Sequence, residues 1–270
     1  MRYILRINME KLEASLEDVP DEYRMLGGRA LTSRIIADEV RADCEPLGRH
    51  NKLVIAPGLL GGTSAPSAGR ISIGSKSPLT GGIKEANAGG TAGHKLARLG
   101  IKAIVIEGKP GEPRGSVEGA SGMQASGMTT GLLERACGPE GVAAGELGKE
   151  SGPYVIRIAK GSCEIVPSPE LKYVGVYEST RRLRERYGDK VGIILIGPCG
   201  ERLMRAAGIT NTDTDGVPSR YAARGGLGAV MGSKGVKAIV VDDSGTSLLS
   251  AAKKEEFNKF VKELTELIRT

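Results

Sequence analysis

Two stretches of this chain repeat each other. Leu53-Val-Ile-Ala-Pro-Gly58 is matched by Ile193-Ile-Leu-Ile-Gly-Pro198. Gly89-Gly90, a helical stretch and Gly100-Ile-Lys-Ala-Ile-Val-Ile106 are matched by Gly225-Gly226, a helical stretch and Gly235-Val-Lys-Ala-Ile-Val-Val241. The glycine pairs lie 136 residues apart, Gly100 and Gly235 lie 135 apart, and so do Arg70 and Arg205. Several matches in one order at one spacing imply an internal duplication. Two αβ half-units, over about 50–109 and 190–243, are expected to face each other about a pseudo-twofold. A ligand at their seam would touch equivalent loops of both.

Local patterns fill in the rest. Tyr3–Met9 alternates and predicts a strand, as do the apolar runs Leu53–Ala56, Ile71–Ser75, Ala103–Glu107 and Tyr154–Ala159. A helix is expected over Glu22–Val40, reshaped near its start by Gly27-Gly28, and another from Gly89-Gly90 to Leu99. Pro78–Gly82 is expected to be a loop. Residues 108–150 are rich in Gly, Ser, Pro and Glu and read as an insertion, with one helix near Met128–Cys137. Glu178–Tyr187 carries Arg181, Arg182, Arg184 and Arg186, the solvated face of a helix. Ser247–Thr270 places Phe257, Phe260, Val261, Leu264 and Leu267 at helical spacing, an amphipathic tail.

Composition narrows the function. Aromatic residues are only 3% of the chain, with no Trp, which argues against base-stacking platforms. The net charge of +6 is scattered, without a basic stripe, so an anionic small ligand fits better than nucleic acid. Forty glycines among 270 residues are about twice the usual share, and they cluster at tight turns. No apolar run approaches the ~20 residues of a membrane span, and no leader pattern precedes Met1, so a cytoplasmic location is expected. Cys44, Cys137, Cys163 and Cys199 lack CxxC spacing and read as reduced.

The densest constellation is Arg70, Lys76–Ile83 and Asn87-Ala88-Gly89-Gly90. Glycines before a helix expose backbone N–H groups suited to phosphate, Arg70 offers a bidentate guanidinium, and Asn87 can donate and accept. Asn87 could equally be only a helix cap, with the glycines permitting close packing. Arg220-Tyr221-Ala-Ala223-Arg224-Gly225-Gly226 is its counterpart in the second half. Gly226–Gly232 fails the dinucleotide spacing because Met231 stands at the third glycine position. His94 lies within reach of a phosphate, although a solvated or capping histidine is the commoner outcome, and His50 is assigned nothing. No triad, HExxH or P-loop pattern is present.

These residues carry a resemblance. GGRAL at 27–31, NKLVIAPG at 51–58, APSAGR at 65–70, KSPLTGGIKEANAGG at 76–90, IKAIVIEGK at 101–109, IGPCGE at 196–201 and ARGGLGAVMGSKGVKAIVV at 223–241 resemble the N-terminal domain of the aldehyde:ferredoxin oxidoreductase family. The resemblance implies an α+β fold: an internally duplicated, saddle-like domain of two mixed β-sheets with flanking helices. It implies a tungsten or molybdenum bis-pyranopterin lying across residues 1–245, held by Arg70, Asn87, Ala88, Gly89 and Gly90 from one half. Arg220, Tyr221, Ala223, Arg224 and Gly225 hold it from the other. Asn87 and Tyr221 would hold a magnesium bridging the pterin phosphates. Tyr221 replaces the family's usual small residue, and Tyr173-Val-Gly175 its usual Trp-Gly pair. The 110–150 insertion has no family counterpart.

In the family, a [4Fe–4S] cluster and the acid/base residues sit on downstream helical domains, so here they are expected from a missing domain or a second subunit. Residues 246–270 would start that region. Ferredoxin is the implied electron acceptor, and a homodimer is an assembly the resemblance allows. The implied reaction converts an aldehyde to a carboxylic acid. The alternative is a non-catalytic binding or assembly module that kept the fold and lost the cofactor.

Overall fold

The computed structural model describes residues 2–111 and 152–269. The helix expected near Met128–Cys137 and the stretch 110–150 read as an insertion fall almost wholly outside them. In the first repeat, β1 (Tyr3–Asn8), β2 (Glu13–Asp18), α1 (Gly28–Glu39), β3 (Leu53–Pro57), β4 (Ile71–Lys76), β5 (Ile83–Ala88), α2 (Ala92–Arg98) and β6 (Ile101–Glu107) follow in order. The second repeat has β7 (Tyr154–Ala159), β8 (Ser162–Pro167), α3 (Val176–Tyr187), β9 (Gly192–Leu195) and a short α4 (Pro198–Glu201). It continues with β10 (Ile209–Asn211), β11 (Arg220–Ala222), α5 (Leu227–Ser233) and β12 (Val236–Val241). A last helix, α6, spans Lys254–Arg269.

The repeats share one topology. The first sheet runs β2-β1-β6-β3-β4-β5, and the second, read the same way, β8-β7-β12-β9-β10-β11. In each sheet only one neighbouring pair is parallel, β1 with β6 and β7 with β12. Both parallel pairs carry a register shift at the same place, between Tyr3 and Ile4 and between Val236 and Ala238. The duplication therefore reaches beyond 50–109 and 190–243 to include the hairpin and helix upstream of each. Register also corrects two matches: Ile55 and Ile194 are counterparts, so Leu53 answers to Gly192 rather than Ile193. Ile71 pairs with Ala88 as Ile209 pairs with Ala222, so the counterpart of Arg70 is Gly208, not Arg205.

Layering follows from which faces are apolar. Val54, Ala56, Ala103 and Val105 pack outward against Leu31, Ile35 and Ile36 of α1. Val155, Ile193, Leu195, Ala238 and Val240 pack outward against Leu183 of α3. The alternate residues, such as Ile55, Ile104, Ile156, Ile194 and Ile239, face a shared core that also takes Leu96 of α2 and Val230 of α5. Strands covered on both faces read as unbroken apolar runs rather than alternation. That is why β3, β6, β9 and β12 are so plain in the sequence. Each fully buried Leu or Ile contributes about 1.5–3 kcal/mol.

Helix α1 begins only at Gly28, after a separate turn at Asp21–Tyr23, as the glycine pair suggested. The arginines of α3 pair with acids along its exposed face: Arg181 with Glu178 and Glu185, Arg182 with Glu178, Arg184 with Asp189 and Arg186 with Glu170. They are spent on helix solvation. The tail helix starts later than expected, at Lys254, and has no buried residue. No described helix is long and apolar enough to cross a membrane.

Candidate functional site

The edge strands β5 and β11 come together where the two sheets meet, and beside them opens a cavity of about 770 Å³. One wall is Arg70, Asn87–Thr91 and the cavity-facing side of α2; the other is Asp213, Thr214 and Ser219–Tyr221. A second basin of about 750 Å³ continues from it past Gly28, Arg29 and Gly58–Leu60. Arg70 and Asn87 line both, so the two form one long trough. The GGRAL, APSAGR and NAGG segments, far apart in sequence, thus meet at one surface.

Asn87 does not cap a helix. It lies in β5, where its Nδ2 donates to Ser72 Oγ at 3.0 Å and its Oδ1 accepts from Arg70 Nε. The amide thereby aims the guanidinium, whose terminal nitrogens meet no carboxylate among the described residues. Arg220, exposed on the opposite wall, likewise has no ion pair among the described residues. Asp213, on the same wall, is already engaged: the Ser219 hydroxyl first, then the amides of Val217 and Asp215, hold it below the usual carboxylate range, with Arg220's charge contributing.

Strand register equates Asn87 with Tyr221. Asn87 pairs with Ser72 and Tyr221 with Thr210, each one residue beyond the matched Ile71 and Ile209. Two expected magnesium-bridging residues therefore occupy the same position in the two repeats and line the same cavity. The Tyr221 side chain stands half exposed on its wall.

The glycine turns are not equivalent in use. Gly89 is open toward the cavity, and a Cβ there would meet only Arg220 Cδ, at 3.9 Å. Gly90, with φ +112°, presses on Thr212 and Asn211 of the other repeat. The Gly89 carbonyl accepts from Asn211 Nδ2 at 2.6 Å and the Thr91 amide donates to Thr212 O at 2.9 Å. That amide is spent on docking the repeats rather than left for an anion. Gly225 and Gly226 are buried beneath Lys84, Pro78 and Arg205, and the Gly225 carbonyl accepts from Ser77 Oγ at 2.8 Å. Of the expected residues, Arg70, Asn87, Ala88, Gly89, Gly90, Arg220 and Tyr221 line the cavity; Ala223 and Arg224 are exposed away from it, and Gly225 is interior.

Two cavity residues, Lys95 and Arg98, and the buried Asn211 had no signal of their own. Lys95 and Arg98 of α2 both reach Asp243, at 2.6 and 3.1 Å, tying the first repeat to the end of β12. Asn211 looked like ordinary strand. No group of three or more His, Cys, Asp or Glu that could hold a metal ion occurs among the described residues. The trough fits an anionic cofactor that brings its own metal: its lining cations, Arg70 and Arg220 above all, outnumber its acids, and Gly89 leaves the floor open.

The N-terminal domain model of aldehyde ferredoxin oxidoreductase matches residues 4–117 and 119–243. Tungsten-containing aldehyde ferredoxin oxidoreductases of Pyrococcus furiosus and Thermococcus kodakarensis are each 34% identical over 268 residues, 98% of this chain. The chain spans about 36% of the length of those relatives. Among solved structures, the active site complex BamBC of benzoyl coenzyme A reductase with 1,5 dienoyl-CoA superposes with a TM-score of 0.78 at 26% identity. That match covers 99% of this chain and 34% of the other. A duplicated fold of two matching six-stranded sheets and a family match along nearly all of it lead to one conclusion: this chain belongs to the aldehyde ferredoxin oxidoreductase N-terminal domain family.

Proposed function

We propose that this chain is the cofactor cradle of a tungsten-dependent aldehyde oxidoreductase that delivers its electrons to ferredoxin. The observation that carries the reading is the convergence of two guanidiniums, one from each repeat and neither with a carboxylate partner among the described residues, on one trough. The relatives' names supply the metal. A tungsten or molybdenum bis-pyranopterin, when bound, supplies the two-electron chemistry that turns an aldehyde and water into a carboxylate.

The chain's own part is binding and orientation. Arg70, steered by Asn87, and Arg220 neutralise the two pterin phosphates, each charge-assisted bond contributing roughly 1.5–3 kcal/mol. Asn87 and Tyr221 are the residues that would hold a magnesium ion accompanying the cofactor, and their matched register supports a ligand lying across the pseudo-twofold. Gly89 lets the ligand approach backbone. The iron–sulfur cluster, the acid/base residues and the ferredoxin contact belong to another domain or subunit.

Metal analysis tests this. Chain isolated with its physiological partner is expected to carry tungsten or molybdenum in stoichiometric amount, and Arg70→Ala and Arg220→Ala to lose it while melting within a few degrees of the cofactor-free parent. A metal-free native protein that still assembles with its partner would favour a non-catalytic module instead.

A further inference from the structure

We propose that His94 is a ligand-binding residue of the trough, donating a neutral hydrogen bond from Nε2 to a phosphate oxygen of the anion that Arg70 and Arg220 attract. This rests on the reading of the trough as a phosphate-ligand site. Three observations converge on it.

First, the tautomer is set by the backbone. The Gly62 amide donates to His94 Nδ1 at 3.1 Å, so Nδ1 must be the bare nitrogen and Nε2 must carry the hydrogen. Protonating the ring would turn one N–H against another. Burial, then the charge of Arg98, also lowers the pKa of His94, with Asp243 opposing them. The imidazole is thus neutral near physiological pH.

Second, the ring has been given room. It lies on the α2 face that lines the cavity, and Nε2 sits over the α-carbon of Gly69, the residue before Arg70. A Cβ on Gly69 would lie 2.6 Å from Nε2. Gly93 lets α2 reach the carbonyls of Gly69 and Arg70.

Third, Nε2 has no hydrogen-bond partner among the described residues, although its sister nitrogen is fixed. An ionised phosphate oxygen accepts, so an N–H locked in place on a cavity that two guanidiniums also line suits it. A neutral donor adds a directed bond without further like-charge repulsion beside Arg98.

The test uses the full 270-residue chain and inorganic pyrophosphate as probe. In ¹⁵N-histidine spectra near neutral pH, His94 is expected as the Nε2–H tautomer, and pyrophosphate should shift its Nε2 signal while leaving His50 unmoved. His94→Asn keeps an acceptor for the Gly62 amide, but its own N–H groups stop short of the Nε2 position; pyrophosphate should bind about tenfold more weakly with little change in melting temperature. His94→Gln restores a donor near Nε2 and should recover most of the affinity. Unchanged affinity in His94→Asn, or an Nδ1–H or doubly protonated ring, overturns the proposal. If Arg70→Ala and Arg220→Ala weaken binding and His94→Asn does not, His94 alone is excluded. If none of the three matters, the trough is not the anion site and both readings fall.

Discussion

Lys102 and Lys237 stand at the same place in the two repeats, the second residue of the matched runs Ile101–Glu107 and Val236–Val241, and both are buried. Lys102 Nζ donates to Arg24 O at 2.9 Å, and Lys237 Nζ donates to Val174 O at 2.7 Å, each carbonyl lying just past the short turn before the outer helix. There the likeness ends. Lys237 also pairs with Glu201, which is itself buried, at 2.5 Å. The seam diverges in the same way: the first repeat opens Gly89 to the trough, and the second closes Gly225 and Gly226 under Lys84, Pro78 and Arg205. Duplication preserved the backbone scaffold; divergence left one turn open to the trough and turned the other into packing.

The sharpest way to break the comparison is at the lysines. Lys237→Met leaves Glu201 buried without its cation and should destabilise by about 3–5 kcal/mol, read by chemical denaturation. Lys102→Met removes one bond to a carbonyl along with the burial of a charge, and should stay within about 1 kcal/mol of the parent. Burial, with the charge of Arg2 adding to it, pushes the Lys102 ammonium down to about 8. Its folded pKa lies below its unfolded value, so the unfolded chain binds more protons between the two. Stability from this residue therefore rises as pH climbs from about 8 toward 10.5, and Lys102→Met should lose that rise.

The glycines come next. A methyl on Gly90 would strike the Thr212 carbonyl, which is backbone and cannot swing aside, and would strain a φ of +112°. Gly90→Ala should cost about 3 kcal/mol. At Gly225 the obstacle is the aliphatic stem of Lys84, which can move, so Gly225→Ala should cost only about 1–2 kcal/mol, mostly from its φ of +81°. Equal losses would show that both turns serve docking alike.

A smaller effect is expected at Asn211, the register counterpart of Ile73: Ile194 pairs with Asn211 as Ile55 pairs with Ile73. Where the first repeat buries an isoleucine, the second ties its amide to Gly89 O. Asn211→Ala should cost about 1–2 kcal/mol and slow no other element's folding. Smallest of all are Arg70→Ala and Arg220→Ala, within about 0.5 kcal/mol by melting because neither guanidinium has a described carboxylate partner.

How much of this was legible follows from what each element relies on. Runs such as Ile193–Ile196 and Ile104–Ile106 declare themselves because burial on both faces demands apolar residues throughout. The strands β5, β8, β10 and β11 do not. β5 reads Ile-Lys-Glu-Ala-Asn-Ala, β11 has only three residues, and each exists because a neighbouring strand offers a ladder to pair with. Because β5 was invisible, Asn87 stayed open between a phosphate contact and a helix cap, and its clamp on Arg70 was not foreseen. Arg70 and Arg220 were legible as trough residues, since turns need glycine but have no need of guanidinium, whereas Arg224, singled out by the same argument, lies away from it. The unequal fate of the two glycine pairs was not, because it depends on Lys84 and Pro78 arriving from the opposite repeat.

The trough has walls from both repeats, and the contacts beneath it, Gly90 on Thr212 and Asn211 on Gly89, are the ones that dock them. An occupant that grips Arg70 and Arg220 together is therefore also a clasp across the duplication. Its binding free energy enters the unfolding equilibrium directly, adding about 2.7 kcal/mol at a hundredfold excess over its dissociation constant. Every thermal opening of the seam is correspondingly an exit route for it. Cofactor residence and the breathing of the Thr91 amide are then two readings of one motion, and hydrogen exchange at that single position should slow in step with occupancy.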